Sequence, residues 1–96
     1  MYEIVLSPEA AQTYKALVAH RRAEVRETIE THLRHEPMKI SKSRIKRLRG
    51  LSRPQFRLRT GELRIYHDVS GSTVEVLAIV EKAGSIEWLK KAGERE

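Results

Sequence analysis

Three patterns in this chain predict an α+β domain. In it, a small curved, mostly antiparallel four-stranded sheet is packed by an N-terminal helical hairpin, with a short helix at the C-terminus. Two stretches carry apolar residues at helical spacing: Ala10, Tyr14, Leu17 and Val18, then Val25, Ile29 and Leu33. Later stretches carry the two-residue period of strands and are separated by glycine-bearing turns. The resulting order is β-α-α-β-β-β-α, with helices and strands in separate runs.

Each element has a local reason. Tyr2-Glu-Ile-Val-Leu6 is a short, mostly apolar strand. Ser7-Pro8-Glu9 begins a helix: a capping hydroxyl, a proline where its missing N–H costs nothing, and an acid at the positive end of the dipole. This helix is predicted to run to about Ala19. A second spans about Arg22 to His35, stopped by Pro37, and the short link at His20-Arg21 makes the pair an antiparallel hairpin. Residues 38–54 are irregular, with a turn of helix expected around Ser43–Arg49. Gln55–Thr60 then places Phe56 and Leu58 on one face and Arg57 and Arg59 on the other. Gly61-Glu62 turns the chain, and Leu63–Val69 sets Leu63 and Ile65 against Arg64 and Tyr66. Thr73–Val80 is apolar on both faces, as in a covered central strand. Ser85 is positioned to cap a last helix carrying Ile86, Trp88, Leu89 and Ala92, ended by Gly93. Trp88 and Tyr14 are expected in the core.

With 96 residues the chain has room for one domain, spanning 1–96. A chain of this size buries roughly 60–65% of its unfolded surface, a thin core that needs no staples. The absence of cysteine excludes a disulfide framework and any thiolate zinc site. No apolar run approaches a membrane span, and Met1-Tyr-Glu-Ile opens as a strand rather than a signal peptide. A cytoplasmic protein without a membrane partner is expected. His32 and His35 lie three apart at a helix end, but no carboxylate supports them as ligands, and helix C-termini favour histidine in any case. No metal and no cofactor is expected.

Charge is the most uneven feature. Ten of the 19 Lys/Arg residues lie between Lys39 and Arg64, against the single acid Glu62, so this segment carries +9 while the rest of the chain sums to −3. A block so dense repels itself unless a polyanion lies nearby. Its second half would display arginines from a rigid strand pair, which makes nucleic acid the first partner to consider.

The order of elements, the Arg47-Leu48-Arg49-Gly50 motif, the Arg59, Gly61 and Arg64 spacing in a hairpin and the apolar fourth strand together resemble the RelE/ParE superfamily of bacterial toxins. The resemblance covers nearly the whole chain. It implies a toxin of a type II toxin–antitoxin system, held inactive by an antitoxin with an acidic, extended segment. For the RelE branch it implies a metal-independent mRNA interferase, an endoribonuclease that cuts messages on the ribosome and so inhibits translation. For the ParE branch it implies a non-nucleolytic toxin that inhibits DNA gyrase. A catalytically degraded relative that only binds its antitoxin is a third possibility. By the resemblance, Gln55 and Arg57 stand where the RelE branch carries two lysines, and Arg64 matches the arginine of the next strand. His67 replaces a family tyrosine, Lys82 falls in the basic element after the last strand, and Ala83 and Leu89 stand near positions often held by arginine and tyrosine.

The chemistry that the resemblance implies is attack of the RNA 2′-OH on the adjacent phosphate, giving a 2′,3′-cyclic phosphate and a 5′-OH. Arg57 and Arg64, on one face by alternation, suit the charge that grows on the phosphorane. Arginine is a poor base, so the proton transfers fall to His67 or Lys82, with Glu81 a further acceptor. Lys42, Arg44, Lys46, Arg47, Arg49 and Arg59 are expected to grip RNA phosphates, and Tyr66 to stack on a base. The same charges would serve an acidic antitoxin.

Overall fold

A computed structural model describes the whole chain, Met1 to Glu96. Strand β1 (Glu3–Leu6) leads into helix α1 (Pro8–Ala16). Ser7 caps the helix as its position predicts: its Oγ accepts from the Ala10 amide at 3.1 Å. The same hydroxyl donates to the Leu77 carbonyl at 2.7 Å, tying the helix start to a distant strand. Helix α2 (Ala19–His32) follows after only Leu17 and Val18, so the turn precedes the predicted His20-Arg21. Both residues are extended, Leu17 packs on the core, and the Val18 carbonyl receives the Arg21 and Arg22 amides. Helix α2 also stops short of His35. The carbonyl of Arg34 is needed by the Tyr2 amide, and its guanidinium donates to the Tyr2 carbonyl at 3.0 Å. Val25, Ile29 and Leu33, predicted to form the buried stripe, are all buried.

Strand β2 (Ile45–Arg47) lies where the sequence suggests a turn of helix. Ile45 decides the matter, because it is 2% exposed and directly opposite Leu58 of β4 (Phe56–Thr60). The outward backbone groups of Ile45 are satisfied by Ser41, whose amide donates to the Ile45 carbonyl and whose hydroxyl accepts the Ile45 amide. Between these strands, β3 (Leu51–Arg53) leaves the sheet to pair with the C-terminal β7 (Glu94–Arg95). Strands β5 (Leu63–Ser70) and β6 (Thr73–Glu81) complete a five-stranded sheet of order β1-β6-β5-β4-β2. Only the β1–β6 pairing is parallel. The fold is thus the predicted α+β class with β2 as an additional strand. A turn of 3₁₀ helix (Lys82–Gly84) precedes α3 (Ser85–Ala92).

The register sorts the side chains. Ile45, Leu58, Ile65 and Ile79 form one row across four strands and face α2, as does the next core row of Phe56, His67 and Val76. Tyr66 belongs to the opposite face and stacks on Trp88 of α3, with ring centroids 4.8 Å apart. Helix α3 therefore lies on the second face instead of joining the other two helices. Trp88 is only half-buried and anchors through its Nε1, which donates to Glu9 at 2.8 Å, rather than through the main core. Tyr14 does pack against that core. No helix is long and apolar enough to cross a membrane.

His67 corrects a sequence expectation. It is fully buried, stacked on Phe56 at 5.2 Å, with Nε2 2.9 Å from the Pro37 carbonyl. Burial pushes its pKa down to about 4, against a smaller upward pull from that hydrogen bond. It is a neutral structural residue on the helix side of the sheet, not a base at the surface. Because the unfolded chain takes up this proton first, near pH 6.5, the stabilisation from a neutral His67 is complete above pH 6.5. It is lost as pH falls towards 4. Urea titrations should show about 3 kcal/mol of such loss in the wild type beyond that of His67→Gln. Parallel pH dependence in the two proteins would refute the assignment.

Candidate nucleic-acid interface

The second face of the sheet carries the cations. Alternation places Lys46, Arg57, Tyr66 and Ala78 in one row and Arg59, Arg64 and Val80 in the next. Arg44 flanks the second row, its carbonyl accepting the Arg59 amide and its Nη1 donating to the Arg59 carbonyl at 3.1 Å. Arg57 and Arg64 are diagonal neighbours on adjacent strands, a relation that sets Cα atoms about 7–8 Å apart. They converge on one side, as the strand period predicts.

Arg64 is the least expected of the group, because it is only 4% exposed. Its Nη1 donates to the carbonyls of Gly61 (3.0 Å) and Leu63 (2.9 Å), so the guanidinium folds against the β4–β5 turn. That turn needs glycine, since Gly61 has φ +57°. The Nε and Nη2 of Arg64 take no protein acceptor and are not sealed from solvent. One edge of the fork is thus held and the other is free. Burial, then the charges of Arg59 and Arg57, push the Arg64 pKa below the usual arginine value, with Glu62 opposing. An arginine so placed stays protonated, and the repulsion becomes an affinity for anions.

None of Lys42, Lys46, Arg49, Arg57, Arg59, Arg64 or Lys82 forms an ion pair within the molecule. Lys42, Arg44, Lys46, Arg57 and Arg59 line one shallow depression of about 100 Å³ beside Ile40. Lys82 reaches the same end of the sheet from the other flank, its amide donating to the Glu62 carbonyl at 2.8 Å. Arg49 is exposed in the turn after β2.

Four expected participants stand elsewhere or are occupied. His67 points to the helices. Tyr66 is fully buried under Trp88 and has no free ring face for a base. Glu81 is engaged by Arg21 at 2.8 Å, so it does not serve as a proton acceptor beside Lys82. Arg47 shares the Phe56 row, lies over that ring at 5.2 Å and donates to the Gln55 carbonyl, which turns it away from the cationic face.

At the other end of this face the charges are paired. Arg53 lies 3.6 Å from Asp68, 3.0 Å from Glu75 and 4.0 Å from Glu94. Gln55 is tied down as well: its amide donates to Asp68 and its side-chain oxygen accepts the Val69 amide. The sequence shows Arg53 as one more cation of the basic block. The acids that neutralise it come from β5, β6 and β7, and nothing in the local sequence announces them.

No protein-family model matches the chain, and no curated protein matches it. Solved structures do. A chain of the archaeal RelE–RelB complex from Pyrococcus horikoshii OT3 superposes with a TM-score of 0.69 at 18% identity, over 84% of this chain and 94% of that one. A chain of the RelB–RelE antitoxin–toxin complex from Methanococcus jannaschii gives 0.66 at 19% identity, over 88% and 96%. The protein shares the fold of these RelE chains.

The cationic face predicts how binding responds to salt. If about four phosphates of a single strand are neutralised, log K falls with log salt at a slope near −2.8, roughly fifty-fold between 50 and 200 mM. Replacing both Arg57 and Arg59 by Gln should flatten that slope by about 1.4, as read by fluorescence anisotropy. The same double change with an unaltered slope would place the binding face elsewhere.

Proposed function

We propose that the protein is the toxin of a toxin–antitoxin pair and a metal-independent endoribonuclease acting on ribosome-bound mRNA. The observation that carries this reading is the group of Arg57, Arg59 and Arg64, gathered on two adjacent rows of a rigid sheet with no carboxylate of the protein neutralising them. Strand cleavage by the 2′-OH needs a phosphate held with its non-bridging oxygens on fixed cations, because negative charge grows there as the phosphorane forms. The free edge of the Arg64 guanidinium and the half-buried Arg57 meet that need. Both belong to strands, so little reorganisation is required when charge develops.

In this reading Lys82, fixed to the hairpin turn through the Glu62 carbonyl, acts as the free amine and takes the proton of the attacking hydroxyl, becoming the ammonium. Lys42, Arg44, Lys46, Arg49 and Arg59 hold flanking phosphates and set register without reading sequence. An antitoxin with an acidic extended segment would occupy the same face, since a row of carboxylates relieves the same repulsion. The similar solved structures, which are toxin–antitoxin complexes, support such a partner.

A second reading, a ParE-like toxin that blocks gyrase without cutting, draws support from one observation: neither Tyr66 nor His67 offers its polar group to the cationic face. Induced expression followed by mapping of RNA 5′ ends separates the two. Cuts within translated frames, lost in Arg57→Ala and Arg64→Ala, are expected. Loss of two phosphorane contacts should lower the rate by about 100-fold or more for each variant. Arg57→Ala removes no internal hydrogen bond, so it keeps the test valid if Arg64→Ala unfolds. Intact messages with halted replication would replace this proposal by the gyrase reading.

A further inference from the structure

Cleavage through a 2′,3′-cyclic phosphate needs two proton transfers, and the proposed site so far contains one. As the O2′–P bond forms, the 2′-OH loses its proton. As the P–O5′ bond breaks, its electron pair stays on O5′, and an alkoxide is a poor leaving group unless a donor protonates it. The attacking and departing oxygens lie on opposite sides of phosphorus in an in-line displacement. The two transferring groups therefore belong on opposite flanks of the arginines that hold the phosphate.

Few residues of this face are able to give a proton to an alkoxide. The guanidiniums of Arg57, Arg59 and Arg64 hold theirs too tightly. His67 is on the far side of the sheet, and the Tyr66 hydroxyl is buried, 3.5 Å from the Ser85 carbonyl. Glu81 is held by Arg21. Two lysines remain. Lys82 sits after β6, beyond Arg64. Lys46 sits on β2, directly opposite Arg57, at the other end of the row. It is exposed, makes no hydrogen bond or ion pair with the protein, and lines the same depression as Arg57 and Arg59.

Resting on the nuclease reading, we infer that Lys46 is the general acid of the reaction. Its ammonium donates a proton to O5′ as the P–O5′ bond breaks, giving the 5′-OH, and solvent then restores the proton to the amine. The role needs the ammonium form, as the role of Lys82 needs the free amine. A mere phosphate grip is a different role, because arginine fills it equally well.

Substrate chemistry provides the test. Wild type, Lys46→Arg and Lys46→Ala are compared on ribosome-bound mRNA with an ordinary link at the mapped cut. They are compared again on the same message with sulfur in place of the bridging 5′-oxygen, since a thiolate leaves without protonation. Lys46→Arg is expected to bind RNA within about twofold of wild type and to cut the ordinary link about 100-fold more slowly. It should cut the sulfur link at nearly the wild-type rate, and Lys46→Ala should show the same rescue with weaker binding. Wild-type cleavage of the ordinary link by Lys46→Arg, or an equal loss on both links, overturns the assignment while leaving the nuclease reading intact. A wild-type protein that cuts neither link overturns the nuclease reading and this assignment with it.

Discussion

The β4–β5 ladder fixes both the core and the cationic face through one register. Leu58 opposite Ile65 and Arg59 opposite Arg64 are consecutive rungs of the same hairpin, so burying the first pair presents the second on the other side. A slip by one residue would drive arginines into α2 and expose the isoleucines. The energies show which set governs. The row of Ile45, Leu58, Ile65 and Ile79 is fully buried, and at about 1.5–3 kcal/mol per side chain it contributes up to roughly 6–12 kcal/mol. Like charges facing across a ladder cost only about 0.2–1 kcal/mol a pair. The hydrophobic row therefore holds the guanidiniums together against their repulsion, and the folding of the core pre-organises the site.

The second face is divided by charge, and the C-terminal segment follows the division. At one end Arg53 balances Asp68, Glu75 and Glu94, and the β3–β7 ladder covers it. Burial raises the Asp68 pKa there, with its hydrogen bond from Gln55 and the charge of Arg53 working against the shift. Trp88 on Tyr66 marks the border. Beyond it no carboxylate pairs with Lys46, Arg57, Arg59 or Arg64. The element that covers the rest is tethered by Glu9 and Glu94 rather than by the arginines.

Much of this was legible in the chain because alternation is a local property. Arg57, Arg59 and Arg64 share a face as their spacing requires, and the buried stripe of α2 is read directly from Val25, Ile29 and Leu33. Long-range contacts left no such trace. Tyr66 has the spacing of an exposed residue and becomes fully buried because Trp88, 22 positions later, lies on it. His67 has an ordinary reference pKa in the sequence and loses it to the Pro37 carbonyl and the Phe56 ring. Strand β2 was hidden by its charges: Lys46 and Arg47 mask the single buried Ile45, and a three-residue edge strand has too few positions to show a period. Glu81 looked free until Arg21, 60 positions earlier, was placed beside it.

The use of arginine at position 64 follows from its burial. A lysine there, held in a low-dielectric setting beside two further cations, would lower its cost by giving up its proton and would then offer a phosphate nothing but a neutral amine. A guanidinium keeps its charge, is more weakly hydrated and so costs less to bury, and divides its donors between two tasks. Nη1 satisfies the Gly61 and Leu63 carbonyls at the hairpin turn, and the opposite edge remains for an anion. Support for the turn and capacity for phosphate are thus two ends of one planar group. Whatever anion fills the face, an RNA phosphate or a carboxylate of a protein partner, it relieves the same repulsion among Arg57, Arg59 and Arg64. An anion bound there would stabilise the folded chain by its own binding free energy.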